Sequence, residues 1–110
     1  MGFASKNSSS FPNLLGADLD NFLKLSLEHP DGWGYSQSDS SSESAIKFRE
    51  PIPALQSKHL HEQIDQKSDG ALLHFRWASK GLDINEKNSH PFTYGDTTFI
   101  HNGSFAPFDI

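Results

Sequence analysis

Ala71-Leu72-Leu73-His74-Phe75-Arg76-Trp77-Ala78 is the strongest strand in the chain. With a side-chain period of two, Leu73, Phe75 and Trp77 share one face, and Leu72, His74 and Arg76 share the other. Ser68-Asp69-Gly70 reads as the turn that leads into it. Arg76 stands at the end of this apolar run, where open exposure to water is not the obvious outcome. A guanidinium so placed either grips a ligand carboxylate bidentately or pairs with an Asp or Glu of its own chain. The residue type alone leaves both open.

Downstream, Ser79 to Tyr94 reads as irregular, and Thr97 to Asn102 as the last strand. It runs into Asn102-Gly103. A side-chain amide and the next backbone N–H can point at one oxygen and stabilise an oxyanion, although Asn-Gly is equally a hairpin turn. Upstream, a short helix from Ser57 to about Gln66 turns Leu60 and Ile64 inward. Pro51 and Pro53 break the chain before it. Ala45 to Arg49 is a strand. The six serines between Ser36 and Ser44 form a polar hairpin tip, and Gly32-Trp33-Gly34-Tyr35 opens the strand on its other side. A longer helix starts at Asp18 as N-cap and carries Leu19, Phe22, Leu23 and Leu27 on one face; Pro30 ends it near Glu28 or His29. Asn7 to Asn13 reads as a loop, and residues 2–5 as a strand. The order β-α-ββ-α-β-loop-β predicts one α+β domain with helices on a largely antiparallel sheet.

The composition narrows the function. The formal charge is −5 with only two arginines, so there is no basic stripe for nucleic acid. No apolar run is long enough to cross a bilayer. Met1 to Lys6 lacks the layout of a signal peptide, and Lys6 breaks the myristoylation pattern. The chain has no cysteine, which removes disulfides and thiolate zinc sites; a cytoplasmic setting fits best. His59-x-His61 lacks a third ligand at metal-binding spacing. No Gly-x-Ser-x-Gly elbow and no glycine-rich phosphate loop occur. Neither metal nor cofactor is expected.

His29-Pro30-Asp31-Gly32-Trp33-Gly34 is a third notable segment. Its glycines would let backbone approach a ligand closely; alternatively it is a helix-to-strand corner with Trp33 in the core. The segment His29 to Gly34, then His74-Phe75-Arg76-Trp77-Ala78-Ser79-Lys80-Gly81, Asn88-Ser89-His90-Pro91-Phe92 and Phe99-Ile100-His101-Asn102-Gly103-Ser104 together resemble the class II glutamine amidotransferases. More narrowly, they resemble the branch of small members that carry His-x-Asp-Gly-Trp-Gly. The resemblance runs from Gly2 to about Phe105.

It implies part of a four-layer α/β/β/α sandwich of the N-terminal-nucleophile hydrolase type. It also implies hydrolysis of the L-glutamine side-chain amide, with ammonia passed to an acceptor that the sequence does not identify. Arg76 would hold the glutamine α-carboxylate. Trp77, Ala78 and Ser79 would line the pocket, with Ser79 where the family often has Thr. Asn102 and the Gly103 N–H would form the oxyanion hole, and His90 would help close the pocket. Arg76 and Asn102 are expected on neighbouring strands, opening into one cleft with the Gly32-Trp33-Gly34 turn. Two departures stand out. The family begins Met-Cys-Arg-Leu-(Leu or Phe)-Gly, whereas this chain begins Met1-Gly2-Phe3-Ala4. The acid that binds the substrate amino group lies past Asn-Gly in the family, and this chain stops at Ile110. Both ends are therefore expected to be truncated, with residues 1–110 the N-terminal part of the domain. The rivals are a catalytically dead amino-acid-binding module of the same fold and a structural domain with Arg76 internally paired.

Overall fold

The computed structural model describes residues 1–38, 46–95 and 97–102. Strands β1 (Gly2–Ser9), β2 (Trp33–Ser38), β3 (Ile46–Glu50) and β4 (Ser68–Phe75) form one sheet in the order β1-β4-β2-β3. Each pair of neighbours is antiparallel. Helices α1 (Phe11–Leu15) and α2 (Asp18–Lys24) connect β1 to β2, α3 (Leu60–Ile64) connects β3 to β4, and a separate two-stranded ribbon is made by β5 (Phe92–Tyr94) and β6 (Thr97–Phe99). The expected α+β class and antiparallel sheet are present.

Alternation along the strands divides the sheet into two faces. Trp33 is opposite Phe75, and Tyr35 opposite Leu73. These four pack with Phe11 of α1, Leu23 of α2, and Leu60 and Ile64 of α3. Burying each such side chain contributes about 1.5–3 kcal/mol. Trp33 is therefore a core residue. Its indole N–H donates to Glu50 Oε1 at 3.2 Å, and Ser57 Oγ–H donates to the same oxygen.

Gly34 and His74 are opposite each other on the second face. Ser89 to Thr93 crosses this face: Arg49 Nη1 donates to Ser89 O at 3.1 Å, and Lys47 Nζ donates to Thr93 Oγ1 at 3.1 Å. A Cβ at Gly34 would lie 1.6 Å from His90 O, and one at Gly32, whose φ is +141°, would lie 2.5 Å from Ser89 Oγ. The close approach allowed by these glycines is thus to the protein's own chain, not to a ligand. Gly34→Ala is expected to destabilise the fold by about 3 kcal/mol, the upper end for overpacking. An unchanged urea midpoint would contradict the seating of His90 on Gly34.

Several boundaries differ from those expected. Asn7 to Asn13 is not a loop: β1 runs to Ser9, and Ser10 Oγ caps α1 by accepting from Asn13 N–H at 3.3 Å. Burial of Phe11, 1% exposed, draws this segment into a helical turn. Asp18 is not the N-cap; Ala17 holds that position, and Asp18 and Asp20 complement the dipole from the first turn of α2. The regular helix ends at Lys24 and a 3₁₀ turn covers Leu25–Leu27, which carries Leu27 off the buried face to 65% exposure. His59, not Ser57, is the N-cap of α3, although Leu60 and Ile64 do face inward. Ser68-Asp69-Gly70 is the start of β4, not a turn. The last strand stops at Phe99. Of the serine-rich hairpin tip expected between Ser36 and Ser44, Ser36 to Ser38 belong to β2, and residues 39–44 lie outside the described residues.

Candidate functional site

β4 ends at Phe75 because its continuation is tied to the corner before β2. Arg76 N–H donates to Gly32 O at 2.8 Å, and Asp31 N–H donates to Arg76 O at 3.0 Å. Asp31 Oδ2 then accepts from Ala78 N–H at 2.8 Å. These bonds turn the chain outward. Trp77, expected beside Leu73 and Phe75, is instead 72% exposed, its ring centroid 5.6 Å from that of His29 in an edge-to-face arrangement. Arg76 stays on the His74 side and is 5% exposed. Its Nη1 donates to Asp83 O at 2.9 Å. Among the described residues no carboxylate lies within 4.0 Å of it, so the internal ion pair that the sequence left open does not form there.

Arg76, Trp77, Ala78 and Ser79 line one side of a cavity of about 630 Å³, and His90 and Asn102 line it as well. All the site residues expected from the sequence converge there except Gly103, which lies outside the described residues. Asn102 does not come from a strand next to β4; it follows β6, in the separate ribbon. The Gly32-Trp33-Gly34 turn is not among the lining residues; it supports the His90 segment from beneath. A smaller cavity of about 160 Å³ is bounded by Met1, Phe22 and Leu25, and shares His74 and Asn102 with the first.

Three histidines build the wall near Asn102. The His74 and His90 rings stack with centroids 3.8 Å apart, and His101 lies 4.5 Å from His90. His74 Nε2 is 3.1 Å from His101 O, and His101 N–H donates to His90 Nδ1 at 3.2 Å. Burial lowers the His74 pKa from 6.5 to about 4; the nearby chain amino group and His101 push the same way, while the hydrogen bond with His101 O and the nearby Asn102 side chain oppose it. Burial, then the charges of His74, His101, Arg76 and Arg49, lowers that of His90 to about 3. Both rings are neutral at pH 7.

Asp31, His29 and His74 escaped the sequence reading as site residues. Asp31 and His29 belong to the segment His29 to Gly34, and nothing in the sequence links that segment to Ala78 or Trp77. His74 was legible from strand parity, which puts it on the Arg76 face.

The ladder between β1 and β4 extends to the first residue. The Met1 amino group donates to Leu73 O at 2.8 Å, and Leu73 N–H donates to Met1 O at 2.8 Å. Burial lowers the pKa of that amino group. Among the described residues no helix is long and apolar enough to cross a membrane, and no group of three or more His, Asp or Glu is placed to hold a metal ion.

A buried cation and a side-chain amide that open into one cavity can hold the carboxylate of a small ligand and donate to an oxygen elsewhere on it. Comparison with known proteins gives this arrangement a family. Residues 17–109 match the family described as glutamine amidotransferases class-II, and the chain belongs to it. It is 29% identical over 104 residues to "Probable glutamine amidotransferase DUG3" of Saccharomyces cerevisiae, an alignment covering 87% of this chain and 29% of that protein. The chain thus spans under a third of the length of that relative.

Proposed function

We propose that these residues form the glutamine-binding part of a class II amidotransferase domain, within a four-layer α/β/β/α sandwich in a cytoplasmic setting. In this reading residues 1–110 are the N-terminal part of that domain, in the branch carrying His-x-Asp-Gly-Trp-Gly. Arg76 grips the α-carboxylate of L-glutamine. Trp77, Ala78 and Ser79 contact its stem, His90 closes the pocket, and the Asn102 amide with the Gly103 N–H receives the oxygen of the side-chain amide. One observation carries the reading: Arg76, buried and without a carboxylate among the described residues, opens into the same cavity as Asn102.

The reaction also needs a nucleophile, and the chain has no cysteine. Family members supply one at the head of Cys-Arg-Leu-(Leu or Phe)-Gly. The register Gly2↔Leu72, Phe3↔Ala71, continued outward with Cys-Arg-Leu placed before Met1, sets the Cys opposite Arg76. Parity then puts its side chain on the Arg76 face of the sheet. The 110 residues by themselves bind glutamine without hydrolysing it.

Calorimetric titration with L-glutamine tests the binding. The parent chain is expected to bind. Arg76→Met, which keeps the stem and removes the charge, is expected to weaken binding at least ~30-fold, since truncating one partner of a buried charge pair costs about 2–5 kcal/mol. Equal affinity in parent and variant would overturn the role of Arg76.

A further inference from the structure

We infer that His74 and His90 act as positioning residues, clamping the peptide groups on either side of His101 and thereby aiming the Asn102 amide into the cavity. The two contacts act on opposite faces of one residue. His101 N–H donates to His90 Nδ1 at 3.2 Å, so that nitrogen must be bare and the ring proton sits on Nε2. His101 O accepts from His74 Nε2 at 3.1 Å, so His74 also carries its proton on Nε2. Its Nδ1 is buried with no partner among the described residues. The rings stack at 3.8 Å, so each limits the rotation of the other.

The clamp is needed because Asn102 lies beyond β6, outside the main sheet. Among the described residues no strand ladder aims it. His74 belongs to β4, and the His90 backbone rests against Gly34 of β2. The two imidazoles are thus the route by which the rigid sheet orients a residue that follows the ribbon. An amide left free to rotate would stabilise an oxyanion poorly, since such donors act by being oriented in advance.

Isosteric substitutions separate the clamp from simple packing. An Asn side chain places an acceptor where Nδ1 of histidine stands, and a Gln side chain places a donor where Nε2 stands. The 110-residue chain, labelled with ¹⁵N, is used throughout. In His90→Gln the His101 amide is expected to exchange about tenfold faster, as for loss of one hydrogen bond, and in His90→Asn to stay within about threefold of the parent. The Asn102 side-chain signals are expected to collapse to solvent-like values in His90→Gln and His74→Asn and to remain distinct in His90→Asn and His74→Gln. Protection of the Leu73 amide reports the fold in each variant.

Equal behaviour of Asn and Gln at either position would reduce these histidines to space-filling and overturn the inference. Should the variants not fold, the parent still decides: imidazole ¹⁵N shifts at neutral pH are expected to show both rings protonated on Nε2, and a proton on His90 Nδ1 would overturn the clamp. The inference rests on the role proposed for Asn102, yet none of these signals requires glutamine. A clamp in a chain that binds no glutamine would contradict the proposed function alone. Glutamine binding without the clamp would contradict only this inference.

Discussion

The 110-residue chain is expected to release no ammonia from L-glutamine above the buffer rate, whereas the same chain with Cys-Arg-Leu placed before Met1, and its initiator methionine removed, is expected to release it. Catalytic groups that act as a unit cost several orders of magnitude when one is lost, so a difference of at least ~10³-fold is anticipated. An oxyanion hole stabilises charge only after a nucleophile has attacked. A thiolate supplies that attack, and the α-amino group of the same Cys, with a reference pKa near 8, can serve as its base. The structure supports the placement, because Met1 already exchanges both backbone hydrogen bonds with Leu73. In the extended form Arg76→Ala is expected to raise KM far more than it lowers kcat, since the carboxylate grip exists in ground and transition states alike. Ammonia production by the unextended chain would mean that another side chain is the nucleophile. An extended form that binds glutamine and stays silent would put the nucleophile elsewhere.

The second large effect is on stability in acid. His74 and His90 have folded pKa values of about 4 and about 3, below the ordinary 6.5. Between those values the unfolded chain binds protons that the folded chain refuses. Stability is therefore full above pH 6.5 and falls as the pH drops toward 4. Near pH 5 the loss amounts to about 2 kcal/mol for each imidazole, before any contribution from carboxylates. Against a typical total of about 5–15 kcal/mol this is a large share. Urea midpoints at pH 7 and near pH 5 measure it. The double variant His74→Gln with His90→Asn keeps the hydrogen bonds without the titratable rings, and is expected to lose most of that dependence. Equal pH dependence in parent and double variant would show that these histidines are not the acid-labile groups.

Much of the scaffold was legible in the sequence because local signals and the tertiary structure agree there. The alternation in Leu73 to Arg76 and the inward pair Leu60 and Ile64 were met in the structure. The failures share a cause: each was settled by a distant partner. Ser8, Ser9 and Ser10 read as loop because their composition is polar, but burial of Phe11 and pairing of Ser9 with Ser68 order them. Parity placed Trp77 on the face of Leu73 and Phe75, but Asp31, forty-seven positions from Ala78, takes the Ala78 N–H and ends the alternation. At the site, the residue types named for Arg76, Ser79, His90 and Asn102 were visible as a spaced series. The histidine stack was not, since it depends on the His90 segment crossing over Gly34.

The central claim is that Arg76 and Asn102 hold the two ends of one glutamine, and a crystal structure of the chain soaked with L-glutamine addresses it most directly. The predicted result is one molecule in the ~630 Å³ cavity, its α-carboxylate on the Arg76 guanidinium and its side-chain amide oxygen toward the Asn102 amide, at ordinary hydrogen-bond distances of about 2.7–3.2 Å. Glutamine bound away from this cavity, or bound in it with Arg76 still on Asp83 O and no contact to the ligand carboxylate, would contradict the account.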